Sequence, residues 1–370
     1  MDRKYDVAAY VWPAYTGDEP RSRLFWPEEY GEWETVHSAR AKFEGHHWPR
    51  RPRWGYVNEA DPGVMEMEIN MALRHGVNVF IYDWYWYDNR PFLAQCLENG
   101  FLKAANCDKM KFYIMWANHD VSHGWDKRNA HKPWADLWSG RVTKAQFEAL
   151  CELWIERYFT HPSYYRIDGK PVFMIYYLHN FVEGVGGLDS AVRCLDYLRE
   201  RAVRAGLPGV HIQVQHMRYI EKSESGFDDG VVGTSAARLH ALGVDSCTHY
   251  QFASFANVNQ PYPAAVQEAL REWNAVRQET RLPFFPHVSI GWDNNPRFIP
   301  LQPHIMTENT PENFRAALRL AKEDSDRHNE TPLITVNSWN EWTEGSYLEP
   351  DDLYGYGYLE AVRDVFGRQD

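Results

Sequence analysis

The chain lacks most of the features that would classify it quickly. Its five cysteines, Cys96, Cys107, Cys151, Cys194 and Cys247, are odd in number, far apart and without C-x-x-C spacing, which argues against a disulfide framework or a cysteine-type zinc site. No apolar run reaches the length of a membrane-spanning helix. Positive charge is in deficit: 39 Lys and Arg against 51 Asp and Glu leave a formal charge of -12, so nucleic acid and membrane are not expected partners. No glycine-rich phosphate loop follows the first apolar run, and there is no G-x-S-x-G elbow. The opening MDRKYDVAAYVW passes from a polar lead into an apparent strand without an apolar signal core, and the expectation is an intracellular, cytoplasmic protein.

Aromatic residues are abundant: 16 Trp, 22 Tyr and 18 Phe in 370 residues. Many must be core, but a Trp side chain is rarely buried completely, so the tryptophan excess points also to a ring-lined surface. Sugars present C–H faces rimmed by hydroxyls, which rings can cover while Asn, Asp and His bond the rim.

Eight short apolar runs alternate with longer helix-patterned segments, the signature of repeated βα units. The runs are VAAYVW (from Val7), VNVFIYDW (Val77), KFYIMWA (Lys111), PVFMIYY (Pro171), GVHIQVQ (Gly209), DSCTHYQF (Asp245), FPHVSIGW (Phe285) and PLITVNSW (Pro332). Asp61-Pro62 reads as a capped helix start, and Gly76 and Gly206 as stops. The expected fold is α/β: a single (β/α)8 TIM barrel with extended βα loops, spanning 1–370 as one domain, with a doubly wound open sheet as the alternative. Two segments, 16–58 and 118–141, fit no unit; both follow strands, so a barrel places them on its catalytic face.

Functional side chains of a barrel come from the C-terminal strand ends. Those positions hold Trp12 and Tyr15; Asp83, Trp84, Tyr85 and Trp86; Trp116, Asn118 and His119; Tyr176 and Tyr177; His249 and Tyr250; Trp292 and Asp293; and Asn340, Glu341 and Glu344. Asp83, Asn118, Tyr177, His249, Asp293 and Asn340 are expected to bond sugar hydroxyls, and Trp12, Trp84, Trp116 and Trp292 to stack on sugar faces. Glycoside cleavage needs a proton donor and a second carboxylate, which Glu341 and Glu344 supply from one loop, with Trp339 and Trp342 lowering the polarity around them. Solvated loop charge is the competing explanation for any isolated E-x-x-E. The His119–His123 run and His46-His47 offer metal donors, which sugar bonding or loop capping explains as well; no metal and no cofactor is expected. Asp324-Ser325-Asp326 reads as a solvated helix face.

The run NSWNEWTEGSYLEPD (from Asn337), followed by LYGYGYLEAV (from Leu353), resembles the C-terminal signature of the WbsX-like family, related to glycoside hydrolase family 99. HGVNVFIYDWYW (His75), FYIMWAN (Phe112), YYRIDGKPVFMIY (Tyr164) and GWDNNPR (Gly291) resemble further blocks of the same pattern over almost the full length. The resemblance implies a barrel that retains configuration through a 1,2-anhydro sugar, with Glu341 as base on the sugar 2-hydroxyl and Glu344 as acid and then base. This route needs an α-manno or similarly configured sugar. Thr343 stands where family 99 has His, His119 where WbsX-like proteins usually have Glu, and VWPAYTGDEP (Val11) replaces their Pro-Gln-Tyr-His block, so specificity is expected to differ from mannan cleavage. The sequence thus reads as a retaining glycoside hydrolase of an oligosaccharide or polysaccharide, with a glycosyltransferase of polysaccharide assembly or a non-catalytic carbohydrate-binding protein as alternatives.

Overall fold

The eight apolar runs form eight parallel strands: β1 Asp6–Val11, β2 Val79–Tyr87, β3 Lys111–Trp116, β4 Lys170–Ile175, β5 His211–Gln215, β6 Ser246–Thr248, β7 His287–Ser289 and β8 Leu333–Asn337. This is a computed structural model, describing residues 4–129, 132, 135–217 and 234–367. Strands β1 to β6 follow one another round the wall, and β8 pairs with both β1 and β7. The ring closes between β6 and β7, where the Cys247 N–H donates to Pro283 O and its carbonyl accepts from the Phe285 N–H, both at 2.9 Å. Both faces of every strand are covered, which is why the runs read as nearly continuous apolar sequence.

Contacts between strands that are not neighbours must cross the lumen, and these are polar. Thr248 of β6 bonds Thr335 of β8 at 2.9 Å, and Tyr113 of β3 donates to Gln213 of β5 at 3.0 Å. The barrel centre is therefore a filled, hydrogen-bonded core rather than a pore.

Helices cover the outside. The Asp61 side chain caps Pro62–Arg74 by accepting from Gly63 and Val64, and Thr143 with Gln146 forms a capping box on Lys144–Trp154. Gly76 and Gly206 take the left-handed backbone just past their helices, as the sequence predicts. The Asp324-Ser325-Asp326 expectation holds for Asp326, which is exposed, and needs correction for the other two: Asp324 is buried and ion-paired with Arg277 of the neighbouring helix Tyr262–Thr280, and Ser325 is buried. A helix-end carboxylate facing the next helix is held by a cation there, not by water.

Segment 16–58 and the described part of 118–141 lie over the C-terminal strand ends, where Lys42 bonds carbonyls of Asn295 and Phe298 and Trp125 packs on Trp12. Residues 130, 131, 133 and 134 lie outside the described residues.

Candidate active site

The loop after β8 has a back and a front. At the back, three of its side chains donate N–H bonds to three buried glutamates. Trp339 Nε1 bonds Glu68 at 3.0 Å, Asn340 Nδ2 bonds Glu59 at 2.9 Å, and Trp342 Nε1 bonds Glu349 at 2.5 Å. The Ser338 hydroxyl accepts from the Glu341 N–H and donates to Ser346 O, both at 2.7 Å, and the Tyr15 hydroxyl accepts from the Trp342 N–H at 3.1 Å. Gly345 turns the chain with φ +63. With its neighbours pinned backward, Glu341 faces the barrel mouth, and Glu344 joins it there.

At the front, the guanidinium of Arg297 reaches three carboxylates: Nη1 to Glu344 Oε1 at 2.6 Å, Nη2 to Glu341 Oε2 at 3.4 Å and Nε to Glu32 Oε1 at 3.0 Å. Glu32 also accepts from Trp12 Nε1 at 2.5 Å and from the Thr343 hydroxyl at 3.1 Å. Tyr250 lies 2.8 Å from Glu341 Oε1 and 2.9 Å from Asp83 Oδ2. Glu344 Oε2 makes no hydrogen bond among the described residues. Burial pushes Glu341 well above the usual carboxyl range, Glu344 adds to the push, and Arg297 opposes it. Burial also raises Glu344, where Arg297 pulls back first and Glu32 raises it further. The two glutamates share one cation and titrate as a pair.

Rings line this front. Trp12 sits 5.9 Å below Arg297 and meets Tyr85 and Trp125 edge-on. His119 lies among Tyr85, Trp125 and Tyr176, and Tyr176 touches Tyr250. Trp292 stays half-buried beside Asp293, whose N–H bonds Glu344 O at 2.7 Å.

The structure thus brings together Glu341, Glu344, Asp83, Tyr250, Trp12 and His119 from the sequence-predicted set. It removes others. Trp84 and Trp116 face outward onto Trp154, and Trp86 stacks on Trp84, because alternation along a strand sends the neighbours of lumen residues to the helix layer. Asn118 exchanges two 2.8 Å bonds with the Tyr177 backbone, and Asn340 holds the Trp12 N–H and carbonyl, so both amides clamp strand ends. Tyr177 has its ring contact with His179, while its neighbour Tyr176 meets His119 and Tyr250 in the cluster. His249 stacks on Phe255 outside the wall, 3.9 Å from Glu272. Asp293 is saturated by His46, Trp48 and Asn295; burial would raise it, but these donors outweigh burial and hold its carboxyl at about 2. Tyr15 stacks on Trp33 and serves the loop backbone. His46 and His123 bond Asp293 and a backbone carbonyl, the loop-capping explanation.

Arg297 and Trp125 escaped the sequence reading; Tyr85 and Tyr176 stand in it only as strand-end positions, and Glu32 only within residues 31–33, whose Glu-Trp pair resembles one of the family's. Arg297 closes the quoted block GWDNNPR and Glu32 follows Gly31 in a segment without periodicity; a lone cation among acidic loops was the available signal.

The chain is thus a (β/α)8 barrel with an acidic, ring-lined mouth at the C-terminal strand ends. Residues 7–362 match the family described as Glycosyltransferase WbsX, and the chain belongs to that family. Two relatives from Xanthomonas campestris pv. campestris, strains B100 and ATCC 33913, each called Uncharacterized protein WxcX, are 26% and 27% identical over 366 residues, covering 94% of this chain and 48% of theirs. The chain therefore spans about half the length of these curated relatives. Among solved structures, the GH99 endo-α-mannosidase from Bacteroides thetaiotaomicron in complex with BIS-TRIS-propane is similar with a TM-score of 0.62 at 16% identity, covering 98% of this chain and 95% of that one. A glycoside hydrolase-like protein gives 0.60 at 16% identity, covering 99% and 95%. At such identity the likeness is one of fold.

Proposed function

We propose that this protein is a retaining glycoside hydrolase acting on an α-manno or similarly configured sugar within an oligosaccharide or polysaccharide. The observation that carries the reading is the pair of buried Glu341 and partly buried Glu344 at the C-terminal mouth of the barrel on one guanidinium. In this reading Glu341, fixed by Tyr250 and Arg297, takes the proton of the sugar 2-hydroxyl. The 2-oxygen attacks the anomeric carbon from the face opposite the leaving group. Glu344 Oε2 delivers its proton to the departing oxygen as the glycosidic bond breaks, leaving a 1,2-anhydro sugar. Water then gives a proton to Glu344 and attacks the same carbon, and the 2-oxygen recovers its proton from Glu341. Two inversions restore the configuration, and the roles follow the resemblance to family 99.

Glycosyl transfer, which the family description names, is the second reading. A sugar-nucleotide diphosphate would have to approach Arg297 past Glu32, Glu341 and Glu344, all of which already engage it. The charge at the mouth therefore favours a neutral sugar over a nucleotide donor. A mass-spectrometric screen of α-manno- and rhamno-configured aryl glycosides and oligosaccharides, with Glu344→Gln beside the wild type, tests the proposal. Cleavage by the wild type alone supports it. Cleavage by neither overturns it: saturable binding of a sugar nucleotide then replaces it with transfer, and sugar binding that is the same in wild type and Glu344→Gln replaces it with a binding protein.

A further inference from the structure

One hydroxyl in the site has more acceptors than protons. Tyr250 Oη lies 2.9 Å from Asp83 Oδ2 and 2.8 Å from Glu341 Oε1, and a phenol carries a single proton. If both carboxyls were ionised, one oxygen pair would face lone pair to lone pair in a site where Asp83 is 4% and Glu341 3% exposed. Two protons in the chain Asp83–Tyr250–Glu341 resolve the conflict, one on the phenol and one on a carboxyl. Which carboxyl carries the second is decided by the surroundings. Glu341 has Arg297 at its other oxygen. Asp83 has no Lys, Arg or His bonded to it among the described residues, and its Oδ1 has no hydrogen bond there. It faces Tyr10, Tyr85 and Tyr250, and feels the charges of Glu341 and Glu344.

We propose that Asp83 is held as the neutral acid and donates to the Tyr250 oxygen, which commits the one Tyr250 proton to Glu341 Oε1. Asp83 is thus a positioning residue. Acting through Tyr250, it keeps Glu341 ionised and turns Glu341 Oε2, 3.4 Å from Arg297, toward the mouth as the oxygen free to accept a proton. If Asp83 ionises, Tyr250 turns back to it and Glu341 loses its donor. Burial, the largest influence on Asp83, acts in the direction the geometry requires, and the Glu344 charge acts the same way, while the Tyr250 bond opposes both. The location of the proton is independent of the enzyme's reaction; its consequence for turnover rests on the hydrolase reading.

Infrared difference spectroscopy of the whole protein at neutral pH, wild type minus Asp83→Asn, tests the proton directly. The expected result is loss of one protonated-carboxyl carbonyl band. Loss of a carboxylate band instead overturns the proposal, whether or not any substrate is turned over. With a substrate in hand, Asp83→Asn, which keeps a neutral donor, should lose only about threefold in kcat/KM, whereas Asp83→Leu and Tyr250→Phe should lose about 100-fold and move the acid limb of the pH profile upward, because Glu341 is then a more easily protonated base. Equal losses in Asp83→Asn and Asp83→Leu with unmoved pH limbs would overturn the positioning role. If Asp83→Leu does not fold, Tyr250→Phe and the infrared measurement carry the test.

Discussion

Two groups of three glutamates, all buried but the partly buried Glu344, lie on opposite sides of one loop, and they differ in their counter-ion. Glu32, Glu341 and Glu344 surround Arg297. Glu59, Glu68 and Glu349 lie with ligand atoms within 4.8 Å of one another, and no cation bonds them among the described residues. A buried carboxyl without a counter-ion keeps its proton; one beside a guanidinium retains much of its charge. Burial accordingly pushes Glu59 and Glu68 well up, with Glu349 adding to the push on both, and pushes Glu349 to about 8 against the pull of the Trp342 indole. The rear group receives N–H bonds and aims the loop; in the front group burial also raises Glu341 and Glu344, but there Arg297 opposes it.

The sharpest way to break this contrast is on the front. Glu344→Gln should cost about 10²–10⁴-fold in kcat while leaving sugar binding within a few-fold, measured by steady-state kinetics and calorimetry. A wild-type rate in that variant would sink the assignment of the acid. Arg297→Met leaves three carboxylates without their cation and should destabilise the fold by about 3–5 kcal/mol in denaturant titration, and Arg297→Lys should recover only part because it lacks the fork.

The rear group is probed through pH. Its carboxyls have folded-state pKa values above their unfolded ones, so the folded chain binds more protons and the stability they contribute is complete below the unfolded value. For Glu349 that contribution should be lost as pH rises from the ordinary 4.5 through about 8. The melting temperature should fall across this window, and Glu349→Gln, which cannot ionise, should flatten the fall; an unchanged slope would place the proton elsewhere. The smallest functional effect is expected outside both groups. Trp116→Phe should lower stability by about 1–3 kcal/mol through the cavity left against Trp154, with kcat/KM unmoved.

The eight strands were legible because a strand covered on both faces must be apolar along its length, and VAAYVW or PLITVNSW can be little else. Glu341 and Glu344 were legible because two acids among indoles after the last strand run against every packing preference. The facing of individual residues was not. Asp83 and Trp84 are adjacent at one strand tip, yet one enters the lumen and the other meets Trp154, a choice that strand tilt and register make. Asn118, Asn340 and Asp293 looked like sugar ligands because polar residues at strand ends serve either substrate or backbone, and here the backbone and loop donors took them.

By itself, then, the sequence determined the barrel, the ring-rich mouth and the acidic pair, since each is written in local pattern and residue type. Only the tertiary structure decided that Arg297 and Glu32 join that pair and that Trp339, Asn340 and Trp342 turn away from it toward Glu68, Glu59 and Glu349. Residues 32, 59, 68, 297 and 341 are far apart along the chain, and their juxtaposition exists only once the wall has closed.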